Sequence, residues 1–121
     1  MIKEIEKPNI EFKFTIYNDY KYYYDQENNE YFIKYKNKVK FYFNLEGRCH
    51  RIGKPAIEGY DGIKIWVENN IQHRLDGPAC GGKNNSFWIG GIEYSAANFA
   101  LKTDHLICLV CNKFCNQGCF L

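Results

Sequence analysis

Two stretches of this chain are copies of one another, and that repetition limits the possible folds more than any other feature. Residues 69–79 read Asn-Asn-Ile-Gln-His-Arg-Leu-Asp-Gly-Pro-Ala, and residues 46–56 read Glu-Gly-Arg-Cys-His-Arg-Ile-Gly-Lys-Pro-Ala. His50 and His73 stand 23 residues apart, as do Pro55 and Pro78, and the two tryptophans in strand-like settings, Trp66 and Trp88, stand 22 apart. A period in the twenties predicts a repeat protein, in which each unit is one supersecondary element that buries a face only by stacking on its neighbours. Units are expected at about residues 41–64, 65–86 and 87–95.

The remaining sequence points the same way. Aromatic residues make up 17% of the chain, which favours sheet over helix. Residues 9–17 alternate, with Ile10, Phe12, Phe14 and Ile16 on one side, and period two predicts a half-buried strand. Asn18-Asp19 signals a turn into a returning strand at Tyr20–Tyr24, and the polar cluster Asp25–Glu30 a looser one. Tyr31–Lys36 and Val39–Phe43 read as a further hairpin, and Asp61-Gly62 as the turn before an alternating strand over Gly62–Glu68. Ser95 is a natural N-cap for a helix over Ala96–His105, whose stripe of Ala96, Phe99, Ala100 and Leu106 suits it to cap the sheet. The expected fold is mainly β: an antiparallel meander and stacked β-hairpin repeats over residues 1–95, then one C-terminal α-helix and a short Cys-rich tail over 96–121.

The net charge of +2 comes from 16 basic and 14 acidic residues closely interleaved, so the electrostatic case for duplex DNA is weak. No apolar run approaches the roughly 20 residues of a membrane helix. The opening residues carry charge where a signal peptide needs an apolar core, which predicts a cytoplasmic chain with reduced thiols.

Three sets of residues carry candidate chemistry. His50-Arg51 and His73-Arg74 place cationic donors at equivalent points of two units. They either clamp phosphates or carboxylates, or tie the repeat framework together through turn carbonyls and Asp76, Glu68 or Glu58. Cys108, Cys111, Cys115 and Cys119, with His105 just before, have ligand types suited to a structural zinc ion, or else lie on one face of a continuing helix. Cys49 and Cys80 read as small buried apolar residues. Tyr20, Tyr22, Tyr23, Tyr24, Tyr31 and Tyr35, interleaved with Lys21, Lys34 and Lys36, read as cover for a second sheet face, as a protein-binding surface, or as a single-strand platform. Ser86 and Ser95 lack a nucleophile elbow, and no phosphate loop or dinucleotide fingerprint is present, so a non-enzyme is expected.

Residues 66–79 resemble tandem units of the form W-x-x-N-G-x-x-H-R-x-D-G-P-A, a variant of the MORN repeat carried by phage, prophage and large-DNA-virus proteins. Asn70 stands in place of the usual Gly. Residues 43–56 are similar more loosely, with Phe43 at the Trp position and Gly53-Lys54 for Asp-Gly, and residues 1–40 lie outside the likeness. The resemblance implies a phage- or virus-encoded interaction protein in the cytoplasm of an infected host cell. On that basis the leading expectation is an inhibitor of a host defence effector, of the anti-CRISPR type, acting by occlusion. Two alternatives stand beside it: a sponge that sequesters a nucleotide messenger through the His-Arg pairs, and a structural module that forms homo-oligomers through an open sheet edge.

Overall fold

The computed structural model describes residues 1–59, 61–82 and 85–103, together with the backbone of residues 107–108 and 113–114. The chain is mainly β. In chain order the strands are β1 Ile2–Ile5, β2 Tyr20–Asp25, β3 Glu30–Tyr35, β4 Lys40–Phe43, β5 Ile57–Glu58, β6 Lys64–Ile65, β7 Val67–Glu68, β8 Ile71–Gln72, β9 Cys80–Gly81, β10 Phe87–Ile89 and β11 Ile92–Tyr94. The helix α1, Ala96–Thr103, is followed by β12 Ile107–Cys108 and β13 Lys113–Phe114. An antiparallel meander runs in the order β1-β2-β3-β4-β5-β6-β9, and three two-stranded pairs accompany it, β7-β8, β10-β11 and β12-β13.

Local sequence explains the turns. Asn69 and Asn70 both adopt positive φ, 51° and 68°, and Gly90 and Gly91 do the same at 57° and 83°. Two consecutive positive φ values make the two-residue turn that matches strand twist, and Asn and Gly tolerate it best. The first unit turns differently. Asn44 Oδ1 accepts the N–H groups of Glu46 and Arg48, and Gly47 takes φ 82°.

Residues 9–17 correct the sequence reading. They pair with no strand, and the edge strand is β1, which pairs with β2. The alternation nevertheless reports burial correctly, because Ile10, Phe12, Phe14 and Ile16 are half-buried while Glu11, Lys13 and Thr15 are exposed. The segment is an extended strap lying across the sheet face. It packs on Tyr22, Ile33 and Phe43, and Phe14 stacks on Phe41 at 4.7 Å between ring centres. Phe14 and Phe41 also reach a second core of Cys49, Ala56 and Val67, so the strap joins the meander to the repeats. A period-two pattern requires only an extended backbone over an apolar surface, and this one finds that surface without a ladder.

The expected strand over Gly62–Glu68 is split. Lys64–Ile65 pairs in the main sheet and Val67–Glu68 pairs with β8, with Trp66 at the crossing. At the far end α1 closes the array as its sequence predicts. Asn98 N–H donates to the Ser95 hydroxyl at 3.1 Å, and fully buried Phe99 meets Phe87 at 4.7 Å. The pair β12-β13 places Cys108 opposite Lys113, so a continuing helix through residue 108 is also corrected.

Candidate functional site

The two His-Arg pairs occupy the same backbone setting. Arg51 N–H donates to Val67 O and Arg74 N–H to Trp88 O, each at 3.0 Å. His50 N–H donates to Tyr42 O at 3.1 Å, and His73 N–H to Trp66 O at 3.2 Å. Each imidazole Nδ1 accepts a backbone N–H from the next unit's turn, Asn69 at 3.1 Å for His50 and Gly90 at 2.9 Å for His73. Asn70 N–H donates to Cys49 O at 2.8 Å and Gly91 N–H to Gln72 O at 2.9 Å, completing the matched set. These contacts fix the register. Tyr42, not Phe43, is the partner of Trp66, and the Trp88 carbonyl matches that of Val67 rather than that of Trp66.

The guanidinium groups are equally matched. Arg51 lies over the Tyr42 ring and Arg74 over the Trp66 ring, each at 3.7 Å from the centre. Each donates Nη1–H to a proline carbonyl, Pro55 at 3.2 Å and Pro78 at 3.1 Å. In the second unit Asp76 accepts from Arg74 Nε at 2.8 Å. Gly77 lies against the same guanidinium, so the Asp-Gly-Pro run supplies its acid, its room and its carbonyl. The first unit has Gly53-Lys54 there, and the acids come from elsewhere. Glu30 holds Arg51 through Nε at 2.9 Å and Nη2 at 3.2 Å, and Glu58 holds Nη1 at 3.2 Å. Arg51 is only 8% exposed, and four of its five N–H donors are engaged. These contacts give His50, Arg51, His73 and Arg74 the framework role, stapling one unit to the next.

The lysine–tyrosine set divides. Tyr22 is buried in the core under Phe12 and Phe43, so it is not a surface anchor. Burial, then the neighbouring Tyr20, pushes its hydroxyl up to about 12, and that oxygen has no hydrogen-bond partner among the described residues. Tyr24 is half-buried, lies 4.7 Å from Tyr31 and donates its hydroxyl to Asn29 at 2.8 Å. Tyr20, Lys34, Tyr35 and Lys36 do gather at the open end of the β2–β3 hairpin, with Lys21, Tyr23, Lys38 and Asp19, around a hollow of about 490 Å³. Register brings the lysines together: Lys21 is opposite Lys34, and Lys34 is opposite Lys40. Lys21 has Glu4 at 3.4 Å, whereas Lys34, Lys36 and Lys38 have no carboxylate within ion-pair distance among the described residues.

Lys38 and Lys40 escape a reading by composition, although the strand register implied by the two turns places them. The side chains of Cys108, Cys111, Cys115 and Cys119, and His105, lie outside the described residues. Among the described residues no group of three or more His, Cys, Asp or Glu is arranged to hold a metal. Cys49 is buried, which pushes its thiol up to about 12 and makes it an inert core residue. No helix among the described residues is long and apolar enough to cross a membrane. No family model, curated protein or solved structure matches the chain.

Proposed function

We propose that this chain is a non-enzymatic interaction protein that docks on an acidic partner protein and acts by covering it. The observation that carries the reading is the row Lys21–Lys34–Lys40 running across three strands, with Lys36 and Lys38 at its end. Like charges directly opposite one another weaken a sheet, and a negatively charged surface placed over them reverses that penalty. Tyr23, on the lysine face of the sheet, supplies rigid amphipathic contact area beside the row, and the lysines steer the approach. The resemblance to phage and large-virus tandem units supports a host defence effector as the partner, with inhibition of the anti-CRISPR type. In this proposal zinc, if held by Cys108, Cys111, Cys115 and Cys119, serves only to order the tail.

The test is capture and inhibition of an identified effector from host lysate by the wild-type chain and by a Lys34→Glu/Lys36→Glu chain. The reading requires that the wild type bind and inhibit an acidic effector and that the charge-reversed chain, folded by circular dichroism, do neither. Equal inhibition by both chains rejects the face. For the tail, elemental analysis should find zinc in the wild type and none in Cys111→Ser.

A further inference from the structure

The strap covers the apolar face of the sheet as far as Ile16, and beyond it the face stays open as a pocket of about 450 Å³. Tyr17, Tyr35, Val39, Phe41 and Ile57 form its apolar wall. Asp19, Tyr35 and Lys36 line both this pocket and the lysine hollow, so an aromatic slot and a basin with four lysines share one border.

Tyr17 has no evident structural duty there. It is 69% exposed, and its ring contacts no other aromatic ring among the described residues, whereas Tyr20, Tyr22, Tyr23, Tyr24, Tyr31 and Tyr35 all do. Its backbone N–H donates to the Tyr35 hydroxyl at 3.3 Å, which fixes the chain at the edge of the slot. The rim is polar. Asn37 Oδ1 accepts the Val39 N–H at 3.2 Å, which leaves its amide NH₂ without a partner among the described residues, and Asp19 offers an acceptor.

We propose that this double pocket binds a nucleoside phosphate, with the base in the slot between Tyr17 and Tyr35 and the phosphates on Lys36 and Lys38. A nucleoside phosphate is aromatic at one end, polyanionic at the other, and carries donors and acceptors along the base edge. Those three chemistries match the aromatic wall, the lysines and the Asn37/Asp19 rim in the same order. The volume lies within the usual range for small-ligand sites. Tyrosine rings hold bases without reading their identity, and lysine ammonium groups hold phosphate as point charges. Among the described residues Asp19 is the only acid lining either hollow, against Lys21, Lys34, Lys36 and Lys38. The ligand is either a free nucleotide or the phosphorylated end of a single strand, which share this chemistry. The site stands apart from the docking reading, because docking on an acidic protein needs the lysines but not the slot.

Calorimetry on the full chain tests it, with ATP, GTP, CTP, UTP, tripolyphosphate and a 5′-phosphorylated short single strand as probes. At least one triphosphate should bind about tenfold tighter than tripolyphosphate, the increment one stacked base contributes. Tyr17→Ala should erase that difference and leave tripolyphosphate binding unchanged, while Lys36→Ala/Lys38→Ala should weaken every phosphate probe. Tighter binding of the strand than of the nucleotides, with the same dependence on Tyr17, assigns the ligand to a strand end, and the converse assigns it to the free nucleotide. Absence of any triphosphate binding at millimolar ligand overturns the proposal. So does tripolyphosphate binding as tightly as all four nucleotides with Tyr17→Ala silent, a result that would leave the docking reading untouched.

Discussion

Arg51 and Arg74 show how one residue type serves one geometry with different surroundings. Both guanidinium groups sit 3.7 Å over an aromatic ring and bond a proline carbonyl, yet Arg51 is 8% exposed between two glutamates and Arg74 is 21% exposed beside one aspartate. Removing Arg51 strands Glu30 and Glu58 in a partly buried site, so Arg51→Ala should destabilise by about 3 kcal/mol or more. Arg74→Ala loses a ring contact and a solvent-screened pair, worth about 1 kcal/mol. Urea melts of both variants check the order, and an equal loss would contradict it.

Buried acids predict an alkaline transition, with Cys49 and Tyr22 shifted furthest. The Cys49 thiol is raised from 9.0 to about 12 by burial, and the Tyr22 hydroxyl from 10.0 to about 12 by burial and then Tyr20. In both cases the folded state holds its proton more tightly than the unfolded chain. Stability is therefore intact below pH 9 and falls as pH rises from about 9 towards 12. Cys49→Ala should flatten the part that begins near pH 9, and Tyr22→Phe should reduce the part that begins near pH 10, to which Tyr42 and Tyr35, also raised by burial, contribute the rest. Melting curves across that range decide it. At neutral pH, Tyr22→Phe also removes a buried hydroxyl without a partner, and should be neutral or stabilising by about 1 kcal/mol.

At the scale of elements, the strap is the feature that pattern reading half caught. The alternation over residues 9–17 identified which side chains are covered but not that the cover runs over the sheet instead of within it. Ladder hydrogen bonds leave no trace in hydrophobic period. What fastens the strap lies far away in sequence. Lys13 N–H donates to Gly47 O at 2.6 Å, and Asn70 Nδ2–H donates to Lys13 O at 3.0 Å. This gives a reason for Asn70 where the resembling units have Gly: its side chain reaches the strap, and its Oδ1 accepts the Cys49 N–H at 2.6 Å. A Cβ at Gly47 would run into the Glu11 carbonyl oxygen, and the positive φ there already disfavours one. Gly47→Ala should cost more than about 1 kcal/mol and expose the Lys13 backbone amide to hydrogen exchange. Unchanged exchange there would mean that the strap is not anchored at Gly47. The repeat unit itself was legible, because His-Arg and Pro-Ala recur at one spacing. Its register was not, since the tryptophans suggested a 22-residue match, whereas backbone bonding makes Tyr42 the counterpart of Trp66 and the carbonyl of Val67 the counterpart of that of Trp88. The first unit's turn is longer, as the Asn44–Gly47 hydrogen bonds show, and a turn insertion shifts residue spacing without altering the frame.

For the whole molecule, the account divides labour between two regions. The repeats hold His50, Arg51, His73 and Arg74 as staples between units, and the meander presents lysines and tyrosines at the open end of β2–β3. Central to this division is that His50 and His73 do the same structural job. Each accepts a backbone N–H at Nδ1, so each ring must carry its proton on Nε2 in the neutral state. Long-range ¹⁵N–¹H correlation spectra, assigned with His50→Gln and His73→Gln chains, read that tautomer directly. The account predicts the Nε2–H form for both rings, with matching shifts. An Nδ1–H tautomer at either histidine, or two rings in different forms, would contradict it.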